Sequence, residues 1–270
     1  MRLCAGFIVL VIILSGYLAD RKRKRQATKG PEFVPTFPIL QVDDTTYWGL
    51  NSGTISSIDG KSVFTEAEFE MAVPDMDRSK EGFVLFWYTP DNGAATSTLG
   101  SDKKHHFVQG YLSNYKPFDT DKLWIPLQTI AMRKTYMYDH DQYNGFIEIW
   151  QYSIEAYSNT RGDCQDHSII LCDWLNALGY EARVACGTHK TEGHAWVVLY
   201  LGGKELILEA TQKRFLSGNG HYPLASTLPD YKPMFMFDHD FHYLPETEGE
   251  RSHAKSKWVK SSKYTRRSAI

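Results

Sequence analysis

The chain has 270 residues, 42% hydrophobic and 14% aromatic, which is enough for one sizeable core and too little for two domains of average size. Its formal charge of −2 hides a segregation. Residues 1–30 hold seven Lys/Arg against one Asp and residues 251–270 hold seven Lys/Arg and no acid, leaving 16 basic and 31 acidic residues for 31–250, a net of −15. An acidic body repels phosphate, so this balance argues against nucleic acid as a partner, and the basic ends read as membrane-surface or solvated tails. The cysteines are Cys4, Cys164, Cys172 and Cys186. With Cys4 in an apolar N-terminal run, the odd remainder and its irregular spacing argue against a disulfide framework, and no CxxC pair points to zinc.

Leu3 to Ala19 is a run of 17 uncharged residues, near the lower limit for a membrane span. Cleavage after Ala19 would put the bulky Tyr17 where a signal peptidase needs a small residue, so the expectation is an uncleaved single-pass anchor over 1–20. Arg21-Lys22-Arg23-Lys24-Arg25 follows; the positive-inside rule then puts the body in the cytoplasm, and the cluster suits an anionic membrane surface. Residues 21–40, with Pro31, Pro35 and Pro38, read as a basic and extended linker. Residues 41–115 form the first part of the domain, with a strand expected over Phe83–Tyr88 and a turn at Pro90–Gly93. Residues 116–245 form its core and 246–270 a basic tail. Between 122 and 158, Phe146, Ile149, Trp150 and Ile154 recur at helical spacing, which predicts two helices interrupted near Asp139–Gly145.

The chemistry lies further on. Asp163 is a natural N-cap, with Asp166 placed three residues later as in a capping box, so Cys164 becomes the first residue of a helix whose pattern ends at Gly179. A helix N-terminus offers unpaired N–H groups and partial positive charge, which favour thiolate over thiol and can receive an oxyanion. Ala182–Cys186 predicts a strand, a second opens at Gly193-His194-Ala195-Trp196 and runs to Leu201, Gly202-Gly203 turns, and a third covers Lys204–Glu209. In a two-residue hairpin here, paired residue numbers sum to 405, so His194 and Glu209 are diagonal neighbours on one face, roughly 7–8 Å apart at the backbone. A helix-start cysteine, a histidine and a same-face carboxylate make a nucleophile, a base and its orienter.

The segments Gly162-Asp163-Cys164-Gln165-Asp166, His194-Ala195-Trp196 and Leu208-Glu209-Ala210-Thr211 together resemble the transglutaminase-like superfamily, especially its bacterial cysteine peptidases, over roughly residues 120–215. The resemblance implies an α+β, papain-like fold with the nucleophile helix packed on an antiparallel sheet. It maps nucleophile, base and acid onto Cys164, His194 and Glu209, with Glu209 departing from the family's usual Asp. The implied reaction is thiol-dependent acyl transfer on protein or peptide amides, ending in hydrolysis or transamidation, with no cofactor required. Bacterial relatives imply calcium near the site, with Asp163 and Asp166 as its candidates here, although capping is the favoured role for both. They also imply a location outside the inner membrane, against the charge rule. Gln151, Trp150 and Trp124 upstream are candidates for the second oxyanion donor, and Trp196 for substrate or oxyanion binding.

Two other classes compete. One is a catalytically silent binding module on the same fold. The other is a metal enzyme built on Asp238-His239-Asp240-Phe241-His242 with Asp139-His140-Asp141, but strand alternation would split the first cluster, and a polar loop is favoured. Cys172 and Cys186 read as packed residues.

Overall fold

A computed structural model describes residues 94–213, 222–247 and 249–262, with the strand segments 39–42, 45–48, 63–65, 85–88 and 265–267. The anchor expected over 1–20, Cys4, the basic cluster and all but the last two residues of the linker lie outside the described residues. Among the described residues, no helix is long and apolar enough to cross a membrane.

Strands β1 (Ile39–Val42) and β2 (Thr45–Trp48) form an antiparallel pair, and β3 (Val63–Thr65) lies further along. β4 (Leu85–Tyr88), β5 (Ala94–Leu99) and β6 (His105–Phe107) make a three-stranded antiparallel sheet. Helix α1 (Trp124–Arg133) follows, then β7 (Thr135–Tyr136), the single turn α2 (Asp139–Gln142), α3 (Ser153–Ser158) and β8 (Arg161–Gly162), which pairs with β7 in parallel. Helix α4 (Cys164–Ala177) leads into β9 (Glu181–His189), β10 (Glu192–Leu201) and β11 (Lys204–Leu208). β12 (Tyr231–Phe237), β13 (His242–Pro245), β14 (Trp258–Ser262) and β15 (Thr265–Arg267) complete the chain. The main sheet has the order β11-β10-β9-β12-β13-β14 with every neighbouring pair antiparallel.

This is the expected α+β arrangement of a helix on an antiparallel sheet. Residues Cys164 to Leu175 of α4 are all buried, as in a helix wrapped on every side. α4 packs on β9 and β10 and is flanked by α1 and α3. Strand alternation divides β10 between two cores: Ala195, Val197 and Leu199 join the α4 side, while Trp196 and Val198 join Ile207, Met236, Tyr243 and Trp258 on the opposite side. Each large apolar side chain so buried contributes about 1.5–3 kcal/mol.

Polar pins fix the surrounding loops. Asp173, buried within α4, accepts the backbone N–H groups of Ser113, Asn114 and Tyr115. Lys134 is buried, and its ammonium donates to the carbonyls of Ala156, Asn159 and Arg161. His242 shares a 2.8 Å hydrogen bond with Thr96 Oγ1, tying β13 to β5. Gly187 has a close backbone reason for being glycine: a Cβ there would collide with the Lys232 carbonyl, at the bulge where β12 shifts register.

Two sequence expectations need correction. The helical periodicity through Phe146, Ile149 and Trp150 does not form a helix. Asn144 and Gly145 take positive φ, and the N–H groups of Ile149 and Trp150 bond to the Asp139 carboxylate and the Leu99 carbonyl instead. Residues 246–270 are not simply a tail, because β14 adds an outer strand to the main sheet with Trp258 buried, and β15 pairs with β3. The polar cluster near 238 is a turn. Asp238 accepts the N–H groups of Asp240 and Phe241 and the Tyr243 hydroxyl, and buried His242 is held neutral with its pKa lowered to about 3 by desolvation.

Candidate active site

The helix begins where the sequence places it, with Asp163 as N-cap and Cys164 as first helical residue. The cap itself differs from expectation: the Asp163 side chain makes no capping bond, and the buried Asp166 carboxylate lies beside Gly162 instead. Gly162 permits this, since a Cβ there would strike the Asp166 carboxylate. Cys164 is only 7% exposed. Its thiol donates to Gln165 Oε1 at 3.2 Å. The expected low thiol pKa is not found. Burial pushes the Cys164 thiol well above its ordinary value, the carboxylates of Asp163, Glu148 and Glu209 push it further, and the Ala195 N–H offsets only part.

The hairpin register agrees with the sequence arithmetic, since Val197 pairs with Leu208 and Val198 with Ile207. It brings His194 Nε2 to 2.6 Å from Glu209 Oε2. Glu209 is fully engaged: Oε1 accepts the Thr211 N–H at 3.0 Å and its hydroxyl at 2.6 Å, and Oε2 also accepts the Tyr231 hydroxyl at 3.1 Å. Burial alone would raise the Glu209 pKa, but the bonds from His194 and Thr211 outweigh it and hold the carboxyl below its ordinary value. An anionic Glu209 can only accept, so the His194 Nε2–H donates to it, and Nδ1 is the ring nitrogen left for the reaction. Tyr231 stacks on His189 at 4.2 Å, and the His189 ring lies 5.6 Å from that of His194, walling the imidazole.

On the helix side, oxygen atoms of Asp139, Asp163 and Asp166 lie within 4.8 Å of one another, and all three residues are buried. Asp139 Oδ2 accepts from the Ile149 N–H and Gln165 Nε2, and Asp166 Oδ1 accepts from the Gln151 N–H. Asp139 Oδ1, Asp163 Oδ1 and Asp166 Oδ2 have no hydrogen-bond partner. Burial, followed by mutual repulsion with Glu148 and Asp166, raises the Asp139 pKa, and burial likewise raises those of Asp163, Asp166 and Glu148. Three unpartnered carboxylate oxygens in one buried cluster fit a hard cation that takes only oxygen ligands, which is the character of calcium.

Residues 148–231 match the family model described as the CEP76 peptidase-like domain. This stretch is thus similar to a peptidase-like domain. The match spans well under half of the chain, includes Cys164, His194 and Glu209, and upholds the resemblance to a transglutaminase-like, papain-like cysteine peptidase. Among solved structures the chain is similar to Legionella pneumophila LapG in its EGTA-treated form, at 21% identity and a TM-score of 0.39, covering 54% of this chain and 78% of that one. Against calcium-bound LapG the values are 23%, 0.37, 55% and 82%. A candidate cysteine protease from Cytophaga hutchinsonii is similar at 21% identity and a TM-score of 0.29, covering 38% of this chain and 34% of that one. A comparison with curated proteins gave no match.

In the peptidase-like segment the upstream oxyanion candidates are otherwise engaged. Gln151 Nε2 donates to the Tyr143 hydroxyl and the Arg161 carbonyl, and Trp150 Nε1 donates to Glu148. Trp196 is fully buried in the core on the far side of the sheet from α4, with Nε1 on His253. Trp124 opens α1 at the surface. Cys172 and Cys186 pack in or against the α4-side core. Sequence reasoning missed Asp139 as a partner of Asp163 and Asp166, because 24 residues and several elements separate it from them.

Proposed function

We propose that this chain is a thiol-dependent acyl-transfer enzyme of cysteine-peptidase character, with Cys164 as nucleophile, His194 as general base and acid, and Glu209 as the residue that orients His194. The observation that carries this reading is the 2.6 Å bond from His194 to a fully engaged Glu209, with His194 on β10, the strand against which the helix opened by Cys164 packs. Because burial keeps Cys164 a thiol at rest, the proton leaves sulfur as attack occurs rather than beforehand. His194 Nδ1 takes it, the S–C bond forms at a substrate amide carbonyl, and its π electrons move onto oxygen. Collapse restores the carbonyl and breaks the C–N bond, with His194 returning the proton to the departing amine. Water or a second amine then releases the acyl group, giving hydrolysis or transamidation on a protein or peptide.

We also propose calcium as a structural partner, held by Asp139, Asp163 and Asp166. Bound there it would supply positive charge to a buried acidic cluster at the start of α4. The chain's own residues do the chemistry.

The test is alkylation of the full chain by iodoacetamide, with the labelled cysteine located by mass spectrometry. Cys164 is expected to react at least about tenfold faster than Cys172 and Cys186, and His194→Ala to remove that advantage. Equal reactivity of the three cysteines, unchanged by His194→Ala, would leave a binding module and no enzyme.

A further inference from the structure

The face of the main sheet turned away from α4 carries a cavity of about 630 Å³, the size of a site for a small organic molecule. Its wall is continuous with the core on that face. Ala225 and Tyr231 belong to both, Leu228 packs against the same core, and Pro229 extends the apolar lining. Such a wall can hold the body of a ligand, but its orientation falls to polar groups.

Three of those groups suit an anion. Lys232, on β12, and Arg251 bring two positive charges to the cavity, against the single carboxylate of Glu205. Arg251 Nη1 donates to the Glu250 carbonyl, which commits one of the five guanidinium N–H groups. The third group is His253, which also lines the cavity and is only 6% exposed. Its Nε2 accepts the Trp196 indole N–H at 3.2 Å, and an indole nitrogen can only donate. Desolvation lowers the His253 pKa to about 4, so near neutral pH the ring is uncharged and carries its proton on Nδ1. Among the described residues that N–H has no acceptor. A buried donor left unmet is costly, and an acceptor in the cavity would meet it. With His253 neutral, two cations and one carboxylate leave the lining a net charge of +1, which suits a carboxylate better than the double charge of a phosphate.

We propose that this cavity is a binding site for an organic carboxylate with an apolar body. The carboxylate is taken by Arg251, Lys232 and the His253 Nδ1–H, and the body lies on Leu228, Pro229 and Tyr231. A free acid and the C-terminus of a peptide present this same chemistry. Cys164 belongs to the core on the other face of the sheet, and binding here does not depend on acyl transfer at its sulfur. The cavity nevertheless backs on Glu209, because Tyr231 has its ring in the cavity wall and its hydroxyl on Glu209 Oε2 at 3.1 Å.

The test is isothermal titration calorimetry of the full chain with three probes: N-acetyl-leucine, its amide, which lacks the charge, and inorganic phosphate. The acid is expected to bind at one site, at least about tenfold tighter than the amide or phosphate. Lys232 and Arg251 are exposed, so Lys232→Gln and Arg251→Gln should fold normally, and each is expected to weaken binding of the acid by about tenfold. Acetyl-Ala-Ala-Leu ends on the same carboxylate and separates the two sources. Tighter binding than N-acetyl-leucine makes the ligand a chain terminus, equal or weaker binding makes it a free acid, and either upholds the site. Equal binding of acid and amide would make the cavity an apolar crevice, and equal binding of phosphate would make it a general anion patch. An affinity unmoved by both substitutions would put the acid elsewhere, and no saturable heat would mean that the cavity takes no carboxylate; each of these four results overturns the proposal.

Discussion

Beside His194 both oxygens of Glu209 are matched, whereas around Cys164 three buried carboxylate oxygens are not. Glu209 takes four donors from three residues, and its ionised form is favoured in spite of burial. Asp139, Asp163 and Asp166 sit a few ångströms apart with one unpartnered oxygen each, and burial disfavours their ionised forms. The sheet half is preorganised by its own side chains, and the helix half carries a charge problem that an added cation would relieve. The contrast separates two kinds of site building. One uses hydrogen bonds within a hairpin and its neighbouring strand, and the other gathers acids from separate elements.

The largest effect should come from breaking the sheet half. Glu209→Gln keeps the shape but removes the charge that fixes the His194 tautomer, and acylation of Cys164 by p-nitrophenyl acetate is expected to fall by about 10²–10⁴-fold. A loss smaller than tenfold would mean that Tyr231 and Thr211, rather than the carboxylate, position the ring.

The helix half should respond to calcium. At a concentration about 100 times its dissociation constant, calcium is expected to stabilise the fold by about 2.7 kcal/mol, roughly 5–10 °C in the unfolding midpoint for a chain of this size. Asp139→Asn is expected to lose most of that gain in a thermal melt. A midpoint that calcium does not move would show that the cluster is stabilised by shared protons instead.

The smallest effect is the acid dependence of the sheet half. The folded-state pKa of Glu209 lies below its ordinary value, so the stability it contributes is fully present above about 4.3, the unfolded value, and is lost as pH falls through the folded one. Thermal melts between neutral pH and pH 3 should show a steeper acid loss for the wild type than for Glu209→Gln. Parallel curves would mean that the His194 and Thr211 bonds leave Glu209 no more acidic than in the unfolded chain.

How much of this was legible in the sequence depends on the distance over which each feature is decided. The hairpin is local: Gly202-Gly203 sets the turn, period-two alternation sets the faces, and His194 meets Glu209 from register alone. The start and end of α4 are local as well, since Asp163 and Gly179 punctuate it. The stretch from Phe146 to Trp150 shows the limit. Its apolar spacing suits a helix, yet two positive-φ residues and long-range bonds to Asp139 and Leu99 decide for extended chain.

The sequence by itself determined that a cysteine would open a helix and that a histidine and a glutamate would face each other across a hairpin, because both follow from caps, turns and alternation within a few residues. Only the tertiary structure decided the burial of the sulfur, the arrival of Asp139 beside Asp163 and Asp166 and the joining of β14 to the sheet. These depend on how separate elements exclude water together, and desolvation and convergence are properties of the packed chain that no local pattern carries.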